Sequence, residues 1–187
     1  MSLFQALLWS AGIAAAILVF LWRRYNSFIA KRNQVKTDFA DIDVQLKRRA
    51  SLIENLVEIV REYAKHEKGT FTEVTKARLA LEKPHGPKES QEIENMLTST
   101  LRSLFAVSEN YPKLQASENY KQLQDDLKQT ENAIAHYRET YNQSVLDFNT
   151  AIQTFPNLLA AALFGFEEEE LFEPGLKGRA EITIKAQ

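Results

Sequence analysis

Residues 3 to 22 read LFQALLWSAGIAAAILVFLW, twenty positions with Gln5 and Ser10 as polar interruptions and no Asp, Glu, Lys or Arg. At about 1.5 Å per residue, a helix of this length spans roughly 30 Å, the hydrocarbon thickness of a bilayer. A chain carrying such a segment has to keep every face of it from water, and lipid does so. Two other fates fit less well. A cleaved signal peptide opens on basic residues and closes on a small-x-small site, whereas here no Lys or Arg precedes the run and it ends at Leu21-Trp22-Arg23-Arg24. A soluble core helix seldom stays apolar on all sides for five turns. Trp22 and Tyr25 fall where an interfacial aromatic belt would lie. Residues 1–24 are therefore expected to form a transmembrane anchor, with the lipid bilayer as partner of residues 3–22.

Basic residues flanking a span set its direction. None lies before this one, whereas Arg23, Arg24, Lys31, Arg32 and Lys36 follow closely. The body is expected on the cytoplasmic side and the extreme N-terminus outside. That body holds all the charge of the chain, 23 basic and 25 acidic side chains for a balance of −2, which provides no bulk attraction for nucleic acid. The lack of cysteine excludes disulfides, thiolate nucleophiles and Cys-ligated metal centres.

Beyond the anchor the pattern is helical. Positions 35, 39, 42, 46, 49, 53, 56, 60 and 63 read Val, Phe, Ile, Leu, Arg, Ile, Leu, Val, Tyr, a four-and-three alternation held for four heptads. Such a 3.5-residue period is the seam of a left-handed helix pair or bundle. Ile93, Leu97, Leu101, Leu104 and Tyr111 repeat at helical spacing in a shorter segment. The series 120, 127, 134, 141, 148, 155 gives Tyr, Leu, Ile, Tyr, Phe, Phe, with Val145 and Ile152 widening the stripe and Thr130 and Ser144 weakening it. EITIK at 181–185 is the only strand-like alternation.

Corners are marked chemically. Lys83-Pro84-His85-Gly86-Pro87 cannot continue a helix, since Pro84 lacks the amide donor and crowds the preceding turn. Asn110-Tyr111-Pro112 ends the second helix; Ser117 is placed to cap the third, with Glu118 against its positive end. Pro156 suits the first turn of a short helix to about Phe164, closed by Gly165. The first helix is expected to continue out of the membrane, and if unbroken to Lys68 it rises about 68 Å above Arg23. A lone glycine at 69 costs only about 1 kcal/mol and need not end it. The expected fold is all-α: a single transmembrane helix, then an antiparallel up-and-down bundle of three long helices and one short helix over 25–166, then an acidic segment and irregular tail over 167–187.

The run Asp41-Ile42-Asp43-Val44-Gln45-Leu46-Lys47-Arg48-Arg49, with Leu52-Ile53 and Asn55-Leu56-Val57-Glu58 after it, resembles the signature of the LemA family. Glu109-Asn110-Tyr111-Pro112, Thr130-Glu131-Asn132, Ile134-Ala135, Tyr141-Asn142, Phe148-Asn149, Phe155-Pro156, Gly165-Phe166 and Phe172-Glu173 follow in the same order, so the similarity covers roughly residues 3 to 173. The resemblance implies a bacterial inner-membrane protein with one N-terminal anchor and an antiparallel four-helix bundle. It carries over no catalytic residue. The chain departs from the family in having Glu54 where proline is usual, and in lacking a basic residue often found beside Asn132.

The candidate structural or interaction positions are Asp43, Lys47, Arg49, Asn55, Glu131 and Asn132. Arg49 holds a seam position, either buried against an acid such as Glu131 or Glu139 or snorkelling at the rim. Lys47-Arg48-Arg49 is a poor nucleic-acid patch, because Asp38, Asp41, Asp43, Glu54 and Glu58 surround it. A bundle-held dimetal site needs two Glu-x-x-His pairs; Glu82-Lys83-Pro84-His85 is the only one, broken by Pro84. His66-Glu67 lacks a second histidine at zincin spacing, and no phosphate loop or nucleophile elbow occurs. Glu167–Glu170 reads as a solvated helix end, and Asn26, Asn33, Asn55, Asn132, Asn142 and Asn149 hint at hydrogen bonds between helices. No cofactor, metal or catalysis is expected. The leading expectation is a membrane-tethered scaffold that binds an unidentified membrane or cytoplasmic protein or a second copy of itself. The alternative is a sensor or small-ligand bundle with a pocket at Thr130 and Ser144.

Overall fold

The computed structural model describes residues 3–64, 68–80 and 86–172. They form six helices, α1 (Leu3–Tyr63), α2 (Lys68–Ala80), α3 (Pro87–Ser108), α4 (Pro112–Gln115), α5 (Glu118–Gln153) and α6 (Asn157–Phe164), and among the described residues there is no strand. EITIK, the His66-Glu67 pair and the Glu82-to-His85 motif lie outside the described residues.

α1 is a single helix of 61 residues, about 90 Å long. Its character changes along its length. The apolar N-terminal stretch is long enough to cross a membrane and none of it is buried in the protein. From Phe28 onward the seam goes inside: Phe28, Val35, Ile42, Leu46, Arg49, Ile53, Leu56 and Val60 are buried. Complete burial of such an apolar side chain contributes about 1.5–3 kcal/mol, so the same helix that is bare at one end organises the core at the other.

The first helix does not run through to Lys68. Ala64 N–H closes on Val60 O at 2.9 Å, and a separate helix begins at Lys68. The rise above Arg23 is then about 60 Å. No proline or glycine forces this stop. Folding back buries Phe71, Val74 and Ala77 of α2, and that packing outweighs helix continuity. Arg61 lies over the Phe71 ring at 5.5 Å, and Arg78 Nη1 donates to Glu54 Oε2 at 2.9 Å, so α2 returns alongside α1. Glu54 thus ties α1 to α2.

The other corners hold with changes. Pro87 opens α3 after an extended Gly86. Pro112 does not merely end a helix but starts the one-turn α4. Ser117 occupies the N-cap of α5 without a side-chain cap; its carbonyl accepts the Lys121 N–H instead. α6 begins after Pro156 and is closed by Gly165 at φ 69°, ψ 36°, the left-handed geometry that favours glycine.

The seam of α5 also shifts. Buried positions run 120, 123, 127, 130 and 134, then resume at 141, 145, 148 and 152. Between the two series Tyr137 and Arg138 are both half-buried, and through either one two four-residue steps stand in succession. Such a stutter locally unwinds a coiled coil. It brings Val145 rather than Ser144 into the core, and an arginine, Arg138, to the seam.

Candidate functional site

Each of three helices places a charged residue where its neighbours on the stripe are apolar. On α1 this is Arg49, between Leu46 and Ile53. On α3 the buried positions are 90, 93, 94, 97, 101, 104 and 108, and Glu94 is the charged one among them. On α5 it is Arg138. Arg49 Nη1 donates to Glu94 Oε1 at 3.3 Å and Nη2 to Thr98 Oγ1 at 3.5 Å, while Arg138 Nη2 pairs with Glu94 Oε2. One carboxylate therefore bridges two guanidinium groups in the interior. Arg49 and Glu94 are buried and Arg138 half-buried. The Nε atoms of Arg49 and Arg138 have no hydrogen-bond partner among the described residues.

Burial pushes the Arg49 guanidinium below its ordinary range, opposed by the charge of Glu131. Arg138 is lowered to about 10, first by burial and then by the repulsion of Arg49. An arginine side chain keeps its proton in proteins, so two cations share one carboxylate in the triad. A groove of about 400 Å³ opens beside Arg49, with Phe105, Leu127, Lys128 and Glu131 in its walls. Glu131 thus acts on Arg49 from the groove rather than by direct pairing.

A second polar construction lies nearer the end of the body that adjoins the apolar stretch of α1. Residues 166–172 do not continue as a helix end; they form a strap along α5. Asn149 Nδ2 donates to Glu169 O at 2.9 Å and Asn149 Oδ1 accepts from Glu169 N–H at 2.9 Å. Asn142 repeats this double bond with Phe172, at 3.1 and 2.9 Å. Seven helical residues rise about 10.5 Å, and three extended residues span about 10 Å. Two asparagines one heptad apart therefore match two peptide units three residues apart only if the strap is nearly straight. Tyr141 Oη donates to Glu170 O at 2.7 Å between them. Burial, then the charges of Glu169 and Glu170, raise the Tyr141 phenol to about 12.

Aromatic rings pin both ends of the strap. Phe166 packs against Phe28 and Tyr25 at 5.2 and 5.9 Å, and Phe172 against Tyr141 at 5.3 Å and Phe39 at 6.2 Å. Arg138 lies 5.1 Å from the Phe172 ring, joining the strap to the triad. The acidic side chains face outward to Arg32 at 2.9 Å and Lys88 at 2.6 Å. Packing against the helices thus extends to Phe172.

Of the six positions singled out from sequence, the structure brings Arg49 and Glu131 to one groove. Asp43 and Lys47 form an exposed i,i+4 pair at 2.7 Å; Asn55 and Asn132 are exposed. Thr130 and Ser144 do not line this groove. Thr130 donates to Asp126 O at 2.7 Å and Ser144 to Asp38 Oδ2, a carboxylate also held by Gln34. Glu94 and Arg138 were missed. Counting the α3 stripe as 94, 97, 101, 104, 108 rather than from Ile93 exposes the first. Among the described residues no group of three His, Asp or Glu side chains gathers as for a metal ion.

Residues 38–185 match the LemA family. Magnetosome protein MamQ of Magnetospirillum gryphiswaldense is 26% identical over 183 residues, covering 84% of this chain and 67% of that protein. Magnetosome protein MamQ 2 of Paramagnetospirillum magneticum is 25% identical over 184 residues, covering 84% of this chain and 68% of its own.

Proposed function

This chain belongs to the LemA family, and on that premise we propose that it is a non-catalytic scaffold, anchored once in a bacterial inner membrane, that binds another protein or a second copy through the outer face of its helical body. The observation that carries this reading is the unbroken α1, bare and apolar over its first turns and buried from Phe28 on. A helix of this kind holds the body at a fixed height over lipid. α1, α2, α3 and α5 make up an up-and-down four-helix body, supported by the Glu54–Arg78, Arg49–Glu94 and Asp38–Ser144 contacts. The body faces the cytoplasm, as the basic residues after the span favour.

In-cell crosslinking with mass spectrometry tests the interaction: crosslinks from exposed body lysines to one recurrent protein, or between copies, are expected. Monomeric mass in mild detergent with no recurrent crosslink contradicts it. For orientation, a single cysteine in the body should resist an impermeant thiol reagent in intact cells. A small-ligand role is the second reading, favoured by the groove beside Arg49. Stabilisation of the full chain by a compound in a thermal-shift screen, lost in Lys128→Ala, supports it.

A further inference from the structure

Residues 148–166, FNTAIQTFPNLLAAALFGF, carry no charged side chain across nineteen positions. Only part of this apolar content is used internally. In α6, Ala160 and Ala161 are buried against the body, while Leu158, Leu159 and Leu163 project outward at 49%, 65% and 66% exposure, and Phe155 just before the helix is 82% exposed. At 100° per residue, positions 158, 159, 162 and 163 share one face. Four large apolar side chains facing water at one place form a patch that needs a cover.

Its place in the fold indicates what covers it. The C-terminal residue of α6, Phe164, meets Tyr25 edge-to-face at 5.0 Å, and Leu21 packs against the core. α6 therefore lies beside the stretch of α1 where the apolar run gives way to Arg23 and Arg24. Trp22, on that stretch, is 66% exposed. The leucine face thus continues the apolar surface of the span sideways, at the height of a headgroup layer.

We propose that α6 is an interfacial helix, its Leu158-Leu159-Leu163 face and Phe155 lying in the headgroup–acyl boundary of the bilayer that holds residues 3–22. This rests on the reading of residues 3–22 as a bilayer span. An apolar face of this kind enters a membrane surface by about 5–10 Å. Two points of contact, one through the bilayer and one along it, fix the tilt of the body, which a lone helix leaves free to vary. Arg23, Arg24, Lys31 and Arg32 nearby suit anionic headgroups.

The test uses the full chain, which has no native cysteine, reconstituted in vesicles of phosphatidylethanolamine and phosphatidylglycerol. Nitroxide labels are placed singly at Leu159→Cys, Leu163→Cys, Ile13→Cys and Asn132→Cys. Labels at 159 and 163 should collide more often with oxygen than with a water-soluble nickel chelate, the reverse of the label at 132. More frequent collision with nickel at 159 and 163, while the label at 13 stays deep, overturns the interfacial helix and leaves the span intact. Shielding from both reagents, or spin–spin broadening between copies, assigns the face to a protein contact and also overturns it. A water-exposed label at 13 removes the span and the proposal together.

Discussion

The triad and the strap both place polar groups inside the body, and they do so by opposite means. At the triad two positive charges and one negative charge are taken out of water, and the cations feel the loss as lowered proton affinity. At the strap no charge is buried in the contact: neutral amides meet neutral peptide groups, and the acidic side chains of the strap point away toward Arg32 and Lys88. A charge cluster demands all of its members, since removal of one strands the others in a low dielectric. An amide clamp demands a matching length, and its loss merely returns a short segment to water.

The contrast sets an order of effects. Glu94→Gln leaves Arg49 and Arg138 uncompensated and should destabilise the body by about 3–5 kcal/mol in urea denaturation of the detergent-solubilised chain. The triple change Arg49→Met, Glu94→Leu, Arg138→Leu should recover most of that loss or more, because well-packed apolar side chains replace buried ion pairs at little cost. A triple variant as unstable as the single one breaks the distinction. Asn142→Ala with Asn149→Ala removes four hydrogen bonds to one segment and should cost about 2–4 kcal/mol locally. Limited proteolysis reads this directly: cleavage within 166–172 should accelerate while cleavage within α3 stays unchanged.

A smaller effect separates the phenol from the amides. The folded-state Tyr141 value of about 12 stands above its ordinary 10.0. A raised acid group contributes stability that is whole below the unfolded value and is lost as pH climbs from about 10 through about 12. Tyr141→Phe should flatten that alkaline decline of the denaturation midpoint. Smallest of all, Lys47→Ala breaks an exposed pair and should shift stability by less than about 0.5 kcal/mol.

The parts legible from sequence were those carried by one element. The long apolar N-terminal helix, the α1 seam, the Gly165 closure and the odd placement of Arg49 each follow from composition or period in a single helix. The partners of Arg49 were hidden because register decides them. Ile93 drew the α3 stripe away from Glu94, and the strict seven-residue series in α5 passed over Arg138, which only packing brings to Glu94. The stop at Tyr63 lacks a breaker and exists because Phe71, Val74 and Ala77 gain burial by turning back. Asn142 and Asn149 stood out as poor helix residues, yet their partners are peptide groups, which leave no mark in side-chain identity.

The continuity of α1 from its apolar stretch into the packed body is most directly tested by the distance between nitroxides at Ile17→Cys and Val44→Cys, both exposed sites on that helix, in vesicle-reconstituted full chain. Twenty-seven residues of helix set the backbone positions about 40 Å apart, and electron–electron dipolar spectroscopy should return one narrow peak near that value. A broad distribution, or a peak well short of it, would mean that the helix is jointed at the membrane surface and that the body is not held aloft by its anchor.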